Sequence, residues 1–381
     1  MPDVHAKRYG ASTSSRWINC PGSIRLADQC PVPDGSKYAE EGTLAHSVAE
    51  LKLKIATDRT VDAKELKHLT KDPLWDGEMD EATDFYRDTV IEHLSAAPDD
   101  AQLMIEQRVD YSEWAPGGFG TSDAVIVSDD ALEIFDLKYG KGIRVDAEGN
   151  SQMRLYALGA YQIFGELYDF DTVRMTIIQP RLDHVSTEEL DIAALLDWAE
   201  LYVKTAVEAA ESDNPPTSAG DWCRWCPAKA VCRTRADENL KLAQYDFADP
   251  DLLTPIEIAD VLEKADRLSK WVADVQDYAL QQALAGEHFD GWKLVEGRSV
   301  RKYTDELKVS EALQKAGFDE ALLYERKLLG LTAMEKLVGK KKLAEVCDGL
   351  IDKPPGKPVL VPASDRRDEL NTTASAVRDF T

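Results

Sequence analysis

Apolar residues recur along the first half of the chain with two periods. Over residues 38–56 (YAEEGTLAHSVAELKLKIA), Leu44, Val48 and Leu51 fall on one helical stripe, and residues 78–95 and 151–166 also read as helices. Residues 101–110 (AQLMIEQRVD) open a β region. Two short apolar runs, Ala124 to Val127 and Leu132 to Lys138, flank Ser128-Asp129-Asp130 and predict a hairpin, although Asp-Asp is a weaker turn signal than Asn-Gly. Val173 to Gln179 is rich in branched residues and stops at Pro180, which predicts another strand; residues 188–210 read as another helix. The succession αα-βββ-α-β-α predicts an α/β fold, a mixed sheet flanked by helices.

A break follows at Ser212-Asp213-Asn214-Pro215-Pro216, and then a cysteine-rich segment. We place a domain boundary after it, giving residues 1–240 and a mostly helical accessory region, 241–381. Thr254-Pro255-Ile256-Glu257 has the signature of a helix start: a hydroxyl cap, proline in the first turn and an acid behind it. The stripe Ile258, Val261, Leu262, Ala265, Leu268, Val272 and Val275 reads as a core or partner-helix face. Leu331 to Gly339 reads as a small helix with a glycine turn, ahead of Lys340-Lys341-Lys342. The tail, from Lys353-Pro354-Pro355 to Asp368-Glu369, reads as extended.

Composition narrows the function classes. No stretch approaches the roughly 20 apolar residues of a membrane span, and residues Met1 to Gly10 carry no apolar run of the secretory kind, so a cytoplasmic protein is expected, with no membrane partner. Six cysteines in such a chain point to metal or redox use rather than a disulfide framework. The net charge of −25 argues against general nucleic-acid binding. The balance is local, however: Lys138, Lys141, Arg144 and Arg154 lie close in sequence, as do Lys340, Lys341 and Lys342, and an acidic exterior can coexist with a basic groove.

The densest chemistry lies in Gly120-Thr-Ser-Asp123 and Asp136-Leu137-Lys138. Residues two apart on a strand face the same way, so Asp136 and Lys138 point together. If the hairpin is centred between Asp129 and Asp130, paired residue numbers sum to 259, which sets Asp123 opposite Asp136. Opposed Cβ atoms lie roughly 4.5–5.5 Å apart. A divalent cation between two such carboxylates would relieve their repulsion, and hard Mg²⁺ or Mn²⁺ prefers oxygen ligands. On spacing alone, a turn-closing Asp123 and a strand-end Asp136–Lys138 ion pair explain these residues equally well. Glu106 reads as surface charge, with a place beside the metal as the alternative.

These segments resemble the PD-(D/E)xK nuclease superfamily, with Gly120 to Asp123 as its G-x-x-D element and Asp136 to Lys138 as its D/E-x-K element. More specifically, the chain resembles the RecB-like exonuclease branch. Gly42-Thr-Leu-Ala-His46 matches its G-x-x-x-H element and Gln152-Met-Arg-Leu-Tyr156 its Q-x-x-x-Y element, all in the family's order. The resemblance implies a restriction-endonuclease-like fold and a DNA substrate. It assigns His46, Asp123, Asp136 and the Leu137 carbonyl to the metal, Lys138 to catalysis, and Gln152 and Tyr156 to the substrate side.

Cys223-Arg-Trp-Cys226 followed by Cys232 is a C-x₂-C-x₅-C run, three thiolates that need a fourth ligand. Cys20, before a proline, is the best candidate; Cys30 is the alternative, and Cys347 reads as an ordinary thiol. Spacing alone fits a Cys₄ zinc site or an iron–sulfur centre equally. One cysteine ahead of the nuclease core and three behind it resembles the AddB-like iron–sulfur exonucleases, which implies that Cys20, Cys223, Cys226 and Cys232 hold a [4Fe–4S] cluster as a structural clamp. Trp17, Trp222 and Trp225 are expected to cover it. The ending Gly356-Lys357-Pro358-Val-Leu-Val-Pro362 resembles phage- and prophage-encoded members. The resemblance thus implies an exonuclease of phage recombination or replication, with an annealing or single-strand-binding protein as partner and possible homo-oligomers through the apolar helix. Two rival readings stay open: a nuclease-like scaffold that binds DNA without turnover, and a cluster-based redox sensor.

Overall fold

The computed structural model describes residues 6–30, 37–61, 63–241, 254–295, 305–316, 319, 323–324, 329–347 and 350–351. The tail from 352 onward, expected to be extended, lies outside the described residues. The chain divides into two compact units, 1–281 and 282–381.

In the first unit, short helices α1 (Ser14–Asn19) and α2 (Ser23–Asp28) precede α3 (Lys37–Ala56), α4 (Ala63–Leu69) and α5 (Gly77–Ala96). Three strands follow, β1 (Gln102–Asp110), β2 (Phe119–Val127) and β3 (Leu132–Leu137). Then come α6 (Ser151–Phe164), β4 (Thr172–Gln179), β5 (His184–Asp191), α7 (Ile192–Trp198), α8 (Thr205–Glu211), α9 (Arg233–Leu240) and α10 (Pro255–Leu284). A π-helical segment, Ala199–Lys204, joins α7 to α8. Among the described residues of the second unit, α11 (Glu306–Lys315), α12 (Leu331–Val338) and α13 (Lys340–Val346) are helical.

The architecture is mixed α/β, a five-stranded sheet flanked by helices. The strands lie in the order β1-β2-β3-β4-β5. The β3–β4 pair is parallel, bridged by the α6 crossover, and the other neighbours are antiparallel. The hairpin register is the expected one, Ala124 facing Phe135 and Val127 facing Leu132. Every residue of β3 is buried, because helices cover both faces of the central strand. Val125, Val127, Leu132 and Ile134 pack with Met153 and Ala157 of α6. Ala124, Ile126, Phe135 and Leu137 pack with Leu53 of α3 and with Tyr86 and Val90 of α5.

One expectation is corrected. Residues 188–191 are the end of strand β5, and the helix begins only at Ile192. The strand His184–Asp191 is an edge strand that alternates, with His184 and Glu188 turned inward, and its last four residues lie within the expected helix. Glu188 is matched by Arg154 of α6, whose Nη2 lies 2.5 Å from Oε1, a partner that local sequence does not reveal.

Candidate functional site

The site forms where β1, β2 and β3 lose their regular alternation. Leu103 and Ile105 of β1 face α3 and α5, whereas Val109 faces α6. The phase changes at Glu106, which adopts φ +52°, a left-handed conformation uncommon for a side-chain-bearing residue. The β1–β2 register carries the same pairing on both sides, Ile105 with Ala124 and Gln107 with Ser122, and skips Glu106 and Asp123. β2 changes phase there too, since Gly120 lies under Tyr156 of α6. Asp123 is therefore turned toward α3.

Asp123 Oδ1 lies 3.1 Å from His46 Nδ1, and Asp123 Oδ2 accepts a 2.7 Å hydrogen bond from the Leu137 backbone N–H. The His46 charge and these bonds hold the Asp123 carboxyl below the usual range despite burial. Asp123 in turn raises His46 to about 9. The paired β2–β3 ladder stops one step short, at Ala124 and Phe135, so Asp123 and Asp136 are neighbours with different partners rather than a matched pair.

Asp136, only 3% exposed, faces α6. Its Oδ1 accepts a 3.1 Å hydrogen bond from Gln152 Nε2, and its Oδ2 lies 2.8 Å from Lys138 Nζ. Lys138 Nζ donates to Gln152 Oε1 at 2.9 Å, and Gln152 Nε2 also reaches the Tyr156 hydroxyl at 3.1 Å. Burial first, and then the Asp123 charge, push the Asp136 carboxyl up against the pull of Lys138. The i,i+4 spacing of Gln152 and Tyr156 puts both on one face of α6, whose start is capped by the Asn150 side chain.

The expected residues thus form two bonded groups, His46–Asp123–Leu137 and Asp136–Lys138–Gln152–Tyr156, joined by the Asp136–Leu137 peptide. Sequence reading missed two neighbours, Glu50 and Tyr86, which line a small pocket with Glu106, His46, Asp123 and Leu137. Glu106 lies there as its alternative reading had it. Glu50 follows His46 by one helical turn, a spacing that the sequence does carry. Glu106 is not a surface charge: burial and the facing Asp123 raise its carboxyl to about 7.

Among the described residues, no three His, Cys, Asp or Glu side chains already converge as a finished ligand set. The residues nonetheless suit a hard cation. Asp136 Oδ2 and the Tyr86 hydroxyl are buried with no hydrogen-bond partner of good geometry, and buried polar atoms rarely go unsatisfied. Asp123 and Asp136 supply carboxylates whose charges act on one another, the donor type that Mg²⁺ and Mn²⁺ prefer.

The second site joins the two ends of the sheet-bearing body. Gly22 N–H donates to Pro216 O at 2.8 Å, and Ser218 Oγ to Asn19 O at 2.5 Å. A Cβ on Gly22 would stand 2.7 Å from Pro215 O and from the Thr217 methyl, so only glycine permits this approach. The strap brings Cys20 to a cavity also lined by Cys223, Cys226 and Cys232. Cys30 is not among its lining residues. Ser218 N–H points at Cys20 Sγ at 3.4 Å and Gly220 N–H at Cys223 Sγ at 3.5 Å. Burial raises the Cys223 and Cys226 thiols, which disfavours their charged form unless a metal takes the proton's place. Four thiols, backbone N–H donors and the nearby Arg16, Lys229 and Arg235 fit a four-thiolate metal centre.

The tryptophans divide. Trp222 lines the cysteine cavity; Trp17 is wholly buried in the main core against Tyr9; Trp225 is 76% exposed.

The fold and site define a mixed α/β protein with a buried acidic pocket and a clustered set of cysteines. The chain belongs to the family described as "Protein of unknown function (DUF2800)", whose model matches residues 5–368. Among solved structures it is similar to one titled "Crystal structure of SSO0001", at 15% identity and a TM-score of 0.20, over 56% of this chain and 94% of that one. No described helix is long and apolar enough to cross a membrane.

Proposed function

We propose that this chain is a divalent-metal-dependent deoxyribonuclease with a restriction-endonuclease-like core, hydrolysing phosphodiesters at DNA ends. One observation carries the reading. Asp136 is held between Gln152 at Oδ1 and the Lys138 ammonium at Oδ2, one residue from the Leu137 amide that, with His46, fixes Asp123. The four ordered motif resemblances support it independently.

Asp123, Asp136, the Leu137 carbonyl and His46 are the residues to hold Mg²⁺ or Mn²⁺, which lowers the pKa of a bound water and takes up charge on the transferring phosphoryl. Lys138 carries its ammonium at the mouth of this group, 27% exposed, where it orients the attacking water and offsets charge on the phosphate. Gln152 fixes Lys138 and Asp136 at once, and Tyr156 fixes Gln152. His46 meets Asp123 through Nδ1, so Nε2 is the ring nitrogen that would serve as a ligand. Cys20, Cys223, Cys226 and Cys232 hold a structural [4Fe–4S] cluster in this reading. The thiols themselves suit zinc as well, and the resemblance favours iron. The same resemblance suggests phage recombination or replication in a bacterial cytoplasm, beside an annealing or single-strand-binding partner.

The test is incubation of anaerobically purified protein with end-labelled linear and closed circular DNA, in Mn²⁺, Mg²⁺ or EDTA, beside Lys138→Ala. Metal-dependent loss of linear DNA alone, absent in the variant, is the expected result. A folded, metal-loaded protein that cuts neither substrate would sink the proposal.

A further inference from the structure

A cavity of about 450 Å³ lies between the cysteine-rich turn, α9 and α10, and shares no lining residue with the acidic pocket. Its walls carry Arg224, Lys229, Arg235, Lys264, Arg267 and Lys270 against only three acids, Asp221, Glu238 and Asp274. That is a concentration of positive charge in a chain of net charge −25.

The cations have separate tasks. Lys229 and Arg235 both hold Asp274, each at 2.6 Å, and so fasten α10 to the wall that carries the cysteines. Lys264, Arg267 and Lys270 follow one another at three-residue steps along one side of α10, and Arg224 stands on the opposite wall. Lys264 and Lys270 pair with Asp260 and Asp266, one helical turn away. Ion pairs of this type are worth little and exchange readily for a stronger anion. Trp225, 76% exposed, lines the same groove, with the Arg224 guanidinium 5.4 Å from its ring centre.

We propose that this groove binds single-stranded nucleic acid, with phosphates on Arg224, Lys264, Arg267 and Lys270 and a base stacked on Trp225. Cations that track a backbone, together with an exposed aromatic face, are what sequence-tolerant single-strand binding requires. Duplex DNA offers no free base face inside its stack, and an acidic peptide would use the cations but leave the indole face unused. The proposal rests on the nuclease reading for its purpose, which is to keep hold of the strand beyond the cutting site. It does not rest on that reading for its chemistry.

The experiment is fluorescence anisotropy of labelled oligothymidylate with the full-length, anaerobically purified chain in EDTA, over a salt series. Arg267→Glu with Lys270→Glu is expected to weaken binding by at least roughly tenfold and to flatten the salt slope by about 0.7 per lost phosphate contact. Trp225→Ala is expected to weaken it by roughly five- to a hundredfold, the range for one lost base stack. Lys67→Glu, on exposed α4, is expected to bind like the wild type. Thermal melting confirms that each variant is folded. Arg224→Gln, on the other wall, provides a second variant that does not touch α10. If the groove variants bind like the wild type, if the wild type binds no oligonucleotide, or if poly-glutamate competes as well as oligothymidylate, the proposal is overturned. Loss of binding in the groove variants of a protein that cuts nothing would sustain the groove and sink the nuclease reading. Unaltered binding in variants of a protein that does cut would do the reverse.

Discussion

Gly120 lies directly beneath the ring of Tyr156: a Cβ there would stand 2.6 Å from Tyr156 Cε1. The glycine of the first motif and the tyrosine of the last are thus one steric unit, with Tyr156 only 2% exposed and unable to step aside. Gly120→Ala is expected to cost about 1–3 kcal/mol by overpacking, read from urea denaturation. In a Tyr156→Leu background the same substitution should cost less. Equal costs in both backgrounds would show that the two residues are not coupled.

The cysteine set makes a second prediction. A metal shared by Cys20 and the 223–232 run would close a very long loop, and a covalent closure of that kind is worth about 5 kcal/mol in the chain-entropy picture. Cys20→Ser or Cys226→Ser should lower the melting temperature by several degrees and remove iron or zinc together. Cys30→Ser should do neither. Metal content that survives Cys20→Ser but falls with Cys30→Ser would reassign the fourth ligand.

Asp136 makes a third. Its folded pKa is raised, so its ionised form costs stability at neutral pH, and the cost grows as pH rises above the unfolded value. Asp136→Asn removes that cost and should stabilise the fold by about 1 kcal/mol in EDTA. Cutting should vanish with it. Mn²⁺ should raise the melting temperature of the wild type and leave the variant unmoved. A variant that is less stable than the wild type in EDTA would contradict the assignment.

His93 makes a fourth, far from the cysteines. Its Nδ1 lies 2.7 Å from Glu133 Oε2, and its ring meets Phe135 edge-on at 5.0 Å. The hydrogen bond to Glu133 raises the His93 pKa, outweighing desolvation. A raised histidine contributes stability that is full below the unfolded value of roughly 6.5 and fades as pH climbs through the folded one. The melting temperature of the wild type should therefore exceed that of His93→Gln most at mildly acidic pH, and the gap should narrow through neutrality. A gap that widens with pH would reverse the sign argued here.

Much of the core was legible because β2 and β3 follow binary patterning around a short turn. The turn centred at Asp129 and Asp130 fixed the register, and that register holds to Ala124 and Phe135. Strand β5 was not legible, because its inward acid, Glu188, is neutralised by Arg154 from a distant helix. Of the candidate site, the motif residues were legible through their spacing. Glu106 was legible only as an alternative: its inward turn depends on a backbone phase change and on a β1–β2 register set by the long connection from Tyr111 to Gly118. The cationic groove was also hidden. The α10 sequence was read by its apolar stripe, yet Ile258, Leu262 and Val272 of that stripe are all more than 40% exposed, while the chemically distinctive side carries Lys264, Arg267 and Lys270.

The amide of Leu137 is held by a side chain at the point where the backbone ladder of its hairpin has ended. Its exchange with deuterium therefore depends on the Asp123 carboxylate as well as on the opening of β3, which stays paired with β4. Whatever draws that carboxylate away loosens one amide, and whatever pins it tightens the same amide. On the proposed reading, a metal that draws on Asp123 would thus be felt at one amide proton, without a substrate and without a label.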